Sequence, residues 1–284
     1  MLRVYYSLTK PGIIYGNLLT VAAGFFLASK WQINLVLFGA TLAGIALVIA
    51  SACVFNNYID RDIDEKMERT KNRALAAGLV PVRNAILYAV CLGVSGFALL
   101  LFFTNLLTAI IGLVAFVDYV ILYGISKRRS VHGTLVGSIS GAATMVGGYT
   151  AVTSRFDAGA LILFLIMVFW QMPHFYAIAI YRLKDYQAAG IPVLPVVKGI
   201  KTTKIQILVY IIAFIAAAVA LTLFGYAGYS YLVAAVLLGF IWLWLSIKGF
   251  RTNNDVLWAR KLFFFSLVVL LSVSVAISAG PLLP

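Results

Sequence analysis

The chain has 284 residues, of which 63% are hydrophobic and only 11% charged, with a mean hydropathy of +1.02. That composition lies far outside the range of a soluble domain and leaves a polytopic, all-α membrane protein. The net charge of +13 would suit nucleic acid in a soluble chain, but the basic residues segregate to one side of the membrane, so no nucleic-acid partner is expected.

A membrane-crossing helix needs about 20 mainly apolar residues. Nine segments qualify: 12–29, 35–58, 84–103, 105–125, 134–153, 159–181, 205–224, 229–247 and 262–280. The first follows Pro11, has full length and lacks a small-x-small cleavage site, so it reads as an anchor and not as a cleaved signal. Cys53 and Cys91 lie inside apolar segments and read as small buried hydrophobes, not as a disulfide or metal pair. A basic loop, Lys127-Arg128-Arg129, is predicted after the fourth segment. The fifth segment is rich in Gly, Ser, Ala and Thr, which favours close helix packing and places it inside the bundle. Pro173 predicts a kink near the end of the sixth. A polar loop is predicted over 182–204, with Asp185, Gly190, Pro192 and Pro195.

With nine spans, alternate loops fall on alternate sides. Twenty of the 22 basic residues then share one side, and only Lys30 and Arg155 lie on the other. The bias predicts a cytoplasmic N-terminus, and one span more or fewer would scramble it. The two long polar loops, after the second and sixth spans, share the basic side. An offset of four helices is a parallel repeat: two four-helix units over 12–125 and 134–247, with a ninth helix added, in one domain over 1–284. Transporters built on inverted repeats carry related halves in opposite orientations, which this pattern disfavours.

The chemistry concentrates in one stretch. Five of the nine acidic residues (Asp60, Asp62, Asp64, Glu65 and Glu68) lie within residues 56–73. A charge at a helix centre in lipid costs roughly 2.5–3.5 kcal/mol, so this stretch must sit at the membrane surface or in a wet cavity. Read as a helix, Asn56, Asp60, Asp64 and Glu68 fall on one face at i, i+4, i+8 and i+12. An amide and carboxylates on one face suit a hard divalent cation such as Mg²⁺. The competing reading is a solvated surface helix with Asp62–Lys66 and Glu65–Arg69 pairs. Asn56, one turn inside the membrane boundary, has no role in it. Carboxylates can hold phosphate through Mg²⁺, and nearby Arg and Lys can meet the remaining oxygens. An intramembrane site beside them suits a long apolar tail. Together these features point to a polyprenyl diphosphate.

The stretch NNYIDRDID (56–64) resembles the N-x-x-x-D-x-x-x-D signature of the UbiA superfamily of intramembrane prenyltransferases. The stretches 56–73, 126–143 and 170–199, with 9–17 and 258–266, resemble that superfamily's heme-modifying branch over nearly the whole chain. The resemblance implies farnesyl diphosphate and heme B as substrates, and ionisation to an allylic cation at a Mg²⁺ site. A heme vinyl group then attacks the cation, and water adds to give heme O. It further implies an inner-membrane protein in contact with lipid, whose product passes to a terminal oxidase or a heme A synthase. By the same resemblance, Asn56, Asp60 and Asp64 hold Mg²⁺, Arg69 and Arg73 lie near the diphosphate, and Asp185 belongs to a second acidic motif. Lys10, Lys127, Arg128 and Lys198 are further candidates for diphosphate or heme propionates. His174 is a candidate heme contact, through iron or a propionate, or else a packed polar residue. The chain departs from the superfamily in carrying Tyr181 four residues before Asp185, which favours one metal over two. It also carries Thr144-Met145 where a Pro-Pro pair is usual, which predicts a straighter fifth helix. His132 reads as a surface residue. Asp118, inside the fourth span, matches no motif and reads as a packed residue paired with the 127–129 region. The alternatives are an aromatic prenyltransferase of quinone synthesis and a heme-binding or transport protein without catalysis.

Overall fold

Backbone groups cannot be left unpaired in hydrocarbon, so each apolar segment closes its hydrogen bonds on itself as a helix. The computed structural model describes residues 2–280, and among these it contains nine helices long and apolar enough to cross a membrane. They are α1 (Pro11–Ser29), α2 (Leu35–Ile59), α3 (Val82–Phe103), α4 (Leu106–Arg129), α5 (Gly133–Thr153), α6 (Ala158–Tyr181), α7 (Gly199–Leu223), α8 (Tyr229–Lys248) and α9 (Asp255–Ala279). No strand occurs among the described residues.

Several boundaries differ from the hydropathy reading. The basic run Lys127–Arg129 is not a loop but the last turn of α4, where positive side chains complement the carbonyl end of the helix dipole. The 182–204 segment is not a loop throughout. It holds short helices at Leu183–Ala188 and Leu194–Val197, and α7 already starts at Gly199. Helix α9 begins at Asp255, seven residues before the expected 262, because the Asn254 side chain caps it by accepting from the Leu257 N–H at 3.0 Å. Hydropathy marks where apolar surface begins, whereas a cap marks where the helix begins. A short helix at Leu2–Leu8 had no such signature.

Helices α5 and α6 are the most buried of the nine. Helix α5 packs on α1, α4 and α6, and α6 packs on α7 and α9, while α2 pairs mainly with α3. Small residues allow the α1–α5 approach. A Cβ placed on Gly148 would stand 2.0 Å from the Val21 carbonyl oxygen, and one on Gly24 would stand 2.0 Å from that of Met145. Both obstacles are backbone, so the helices themselves would have to separate. Helix α5 runs unbroken through Thr144 and Met145.

Helix α4 is interrupted by a π-helical turn at Asp118–Leu122. Asp118 is buried there, and its carboxylate accepts from the Ser140 N–H of α5 at 3.2 Å. It forms no ion pair with Lys127, Arg128 or Arg129, contrary to the sequence expectation. The π turn sets its side chain against α5, not toward the basic end.

Gly148→Ala should lower stability by about 1–3 kcal/mol, the usual range for overpacking. Gly39→Ala, which meets open space, should leave it unchanged or raise it slightly. Thermal unfolding of both variants in detergent checks the contrast.

Candidate active site

Helix α2 ends at Ile59, so residues 56–68 are not one continuous helix. Asp60 caps it with φ −94° and ψ 2°, and a single helical turn, Arg61–Asp64, follows. Asn56, Asp60 and Asp64 are all buried and line one cavity. Glu68 leaves that face: it is exposed and pairs with Lys71 at 2.8 Å. The expected face of four is therefore a face of three. The Asp62–Lys66 and Glu65–Arg69 pairs are also absent among the described residues. Asp62 instead binds Arg128, at 2.8 Å to Nη1 and 2.7 Å to Nη2. That hydrogen-bonded pair holds the Asp62 carboxyl down to about 2.

Each of the three oxygen-bearing side chains meets its own cation. Lys10 Nζ donates to Asn56 Oδ1 at 2.7 Å. Lys127, from the end of α4, donates to Asp60 Oδ2. Arg73 Nη1 reaches back to both oxygens of Asp64, at 2.9 and 2.8 Å. Thr70 steadies that return by donating to the Asp64 carbonyl at 3.0 Å. Lys10 sits in left-handed backbone, φ 53° and ψ 65°, immediately before Pro11. Such a conformation is costly for a side-chain-bearing residue, and here it turns the ammonium toward Asn56. Burial pushes the Lys10 ammonium down to about 8.

The charges do not balance. Four cations (Lys10, Arg69, Arg73 and Lys127) line the cavity against two carboxylates, Asp60 and Asp64. Asp60 Oδ1 and Asn56 Nδ2 are buried without a hydrogen-bond partner. An amide oxygen and two carboxylates are a hard, all-oxygen donor set that fits Mg²⁺ when substrate oxygens and water complete the shell. No group of three His, Cys, Asp or Glu side chains converges anywhere among the described residues, so this set rests on two carboxylates and an amide.

From this polar end the cavity, about 540 Å³, descends between α1, α2, α4, α5 and α6, with Leu100 of α3 and Leu267 and Leu270 of α9 also in its wall. Its lower wall includes Ile45, Val48, Leu100, Ile111 and Phe116. Ile45 lies fifteen residues before Asp60 on α2, about 22 Å at 1.5 Å per residue. Tyr119 and Tyr123, stacked at 5.6 Å, face the middle of the cavity. On the α6 side the wall is Trp170, Gln171 and His174, opposite Asn17 and Thr144.

The other sequence candidates stand apart. Asp185 pairs with Arg182 at 3.7 Å outside the cavity wall, although its neighbour Tyr186 is part of that wall. Arg128 braces the Asp60–Asp62 turn from outside. Lys198 is exposed at the start of α7. Pro173 lies within the continuous helix α6. Sequence reasoning passed over Asn17, Gln171, Ser266 and the Tyr119–Tyr123 pair. A polar side chain on an otherwise apolar helix is the one signal that could have found Asn17 and Gln171.

The model of the UbiA prenyltransferase family matches residues 17–268, and the chain belongs to that family. Among curated proteins it is 58% identical to the protoheme IX farnesyltransferase of Serratia proteamaculans, over 98% of this chain and 94% of that protein. It is 56% identical to the protein of the same name from Edwardsiella ictaluri, with the same coverage of both. Among solved structures, a digeranylgeranylglyceryl phosphate synthase superposes with a TM-score of 0.83 at 18% identity, covering 99% of this chain and 98% of that one. A UbiA homolog from Archaeoglobus fulgidus bound to GPP and Mg²⁺ superposes with a TM-score of 0.74 at 16% identity, covering 97% and 99%. At these identities the solved structures speak for the fold.

Lys127→Met should leave the buried Asp60 carboxylate without its hydrogen-bonded partner, with only the looser Arg128 contact at 3.6 Å remaining. Breaking a buried pair in this way costs about 3–5 kcal/mol. Unfolding midpoints should fall accordingly in EDTA and recover in part with Mg²⁺; a midpoint indifferent to Mg²⁺ would argue against a cation seat at Asp60.

Proposed function

We propose that the chain transfers the farnesyl group of farnesyl diphosphate to a vinyl group of heme B, with addition of water, giving heme O and diphosphate. The observation that carries this reading is the charge excess at the head of an apolar shaft. A cavity head where two buried carboxylates face four cations, Lys10, Arg73 and Lys127 half-buried and Arg69 exposed at the mouth, favours a multiply charged anion, because unbalanced charge is expensive in low dielectric. The shaft below it accepts an apolar chain of limited length. A farnesyl chain has twelve main-chain carbons, and with single bonds near ~1.5 Å it extends about 15 Å. Added to a diphosphate, that matches the reach from Asp60 to Ile45, whereas a tail of many more isoprene units would not fit. The names borne by relatives at 56–58% identity support farnesyl as donor and heme as acceptor.

In this reading Asn56, Asp60 and Asp64 hold Mg²⁺, which supplies charge neutralisation of the departing diphosphate. Lys10, Lys127 and Arg73 exchange their present partners for phosphate oxygens and Arg69 joins them from the mouth, so the two cations that balance the carboxylates in the free protein, Lys127 and Arg73, also bind the substrate. Tyr119, Tyr123 and Trp170 line the part of the cavity where an allylic cation would form, and aromatic faces favour positive charge there. Helices α2, α5 and α6 exclude bulk water, which confines water addition to the step after the carbon–carbon bond forms. Arg128 positions the Asp60 turn through Asp62. Asp185 and Lys198 act at the rim. One Mg²⁺ suffices for a donor set of this size. The segregation of basic residues supports an N-terminus in the cytoplasm, with the polar end of the cavity at the inner face of a bacterial inner membrane. The heme product would then be released toward a terminal oxidase or a heme A synthase.

Purified protein given heme B, farnesyl diphosphate and Mg²⁺ should form hydroxyethylfarnesyl heme, detected by chromatography and mass spectrometry. EDTA should abolish it. Asp60→Asn and Asp64→Asn should each reduce kcat/KM by about 10²-fold or more, corresponding to about 2.7 kcal/mol of lost transition-state stabilisation. Asp185→Asn should cost about tenfold or less. Prenylation of an aromatic acid in place of heme would move the chain to the quinone-forming members of the family.

A further inference from the structure

His174 is held by more contacts than a packed histidine needs. Its ring lies between Trp170 and Phe263, with centroid distances of 4.8 and 4.9 Å. Its Nδ1 is 2.7 Å from the Ser266 hydroxyl of α9. That hydroxyl is itself 2.5 Å from the Phe263 carbonyl. A carbonyl oxygen can only accept, so the single hydroxyl hydrogen points at Phe263. The Ser266 oxygen must then accept from His174, which places the imidazole proton on Nδ1. The Ser266 backbone carbonyl accepts from Trp170 Nε1 at 2.8 Å. One residue of α9 therefore orients both Trp170 and His174, one turn apart on α6. The remaining ring nitrogen, Nε2, bears a lone pair. It makes no hydrogen bond within the described residues, is not sealed off as a buried orphan, and belongs to a side chain that lines the cavity. His174 lies seven residues before the end of α6, about 10 Å below the polar end at 1.5 Å per residue.

We infer that Ser266 is a positioning residue that locks His174 in the Nδ1-protonated tautomer, so that Nε2 serves as an axial ligand to the iron of the heme substrate. The inference rests on the heme reading given above and chooses iron over a propionate. A propionate needs a donor, and in this tautomer the only ring N–H is already committed to Ser266. Coordination fixes the porphyrin's height in the cavity, and with it the height of its vinyl edge relative to the allylic carbon. A hydrogen bond to the far nitrogen of a metal-bound imidazole sets both ring orientation and ligand basicity.

Resonance Raman spectroscopy of ferrous heme bound to the full-length protein tests this without turnover. Wild type should show an iron–histidine stretching band. His174→Gly should lose the band, and added imidazole should restore it. Ser266→Ala removes one oxygen and keeps the packing. It should shift the band to lower frequency and weaken heme binding about 10–100-fold, the usual effect of losing such a partner. Ser266→Thr, which keeps the hydroxyl, should retain the wild-type frequency. Heme bound without the band in wild type, or a band that survives His174→Gly, would overturn the iron assignment while leaving heme as substrate. A Ser266→Ala spectrum identical to wild type would overturn the role of Ser266. Wild-type protein that bound no heme would remove the substrate reading and the inference with it.

Discussion

The structure depends on how it places charge inside a low-dielectric bundle. Asp60 and Asp64 are buried at the head of an apolar shaft, where an unpartnered charge is costly. Lys127 from α4 and Arg73 from the return of the 61–81 segment supply the partners. These pairs tie α2 to α4 and fold the following loop over the cavity mouth. They also leave the site with more positive than negative charge, so the resting protein is complementary to an anion before one arrives. In the proposed reading stability and recognition use the same side chains, and a diphosphate would compete for cations that the carboxylates already hold.

The shaft below follows from helix packing. Close backbone contact between α1 and α5 at Gly24 and Gly148 pulls those helices together, while larger side chains on α2, α3 and α4 hold the opposite wall away. The void left between them is apolar at depth and polar at its head. Ile45, Leu100 and Thr108 are among the residues that line it. The π turn in α4 belongs to the same wall: it turns Asp118 outward to the α5 backbone, while Tyr119 and Tyr123 line the cavity.

Much of the fold was legible in the sequence, since lipid imposes a length and a composition on every span. Helix count and alternation of sides follow from hydropathy and basic residues. The legibility falters wherever a local cap or a polar helical turn sets the boundary, as at Asn254 and Gly199. In the site, Asn56, Asp60 and Asp64 could be picked out as residues sharing one cavity because i→i+4 hydrogen bonds still link them across the end of α2. Glu68 could not be excluded on the same basis, since nothing in the residue order announces that α2 stops at Ile59. Asp62 is the instructive case: its neighbours in sequence offered Lys66, and its partner in space is Arg128, sixty-six residues away.

What the sequence by itself determined is set by local physics. It marked nine segments long and apolar enough to cross a membrane, matched by nine such helices among the described residues, and it confined the carboxylates to a membrane surface or a wet cavity. What only the tertiary structure decided is which charges meet and where the ring nitrogens of His174 point. Those depend on contacts between helices far apart in the chain: α4 on the turn after α2, and α9 on α6. Side-chain pairing across a bundle is governed by distance in space and by burial, and neither is encoded in spacing along one helix.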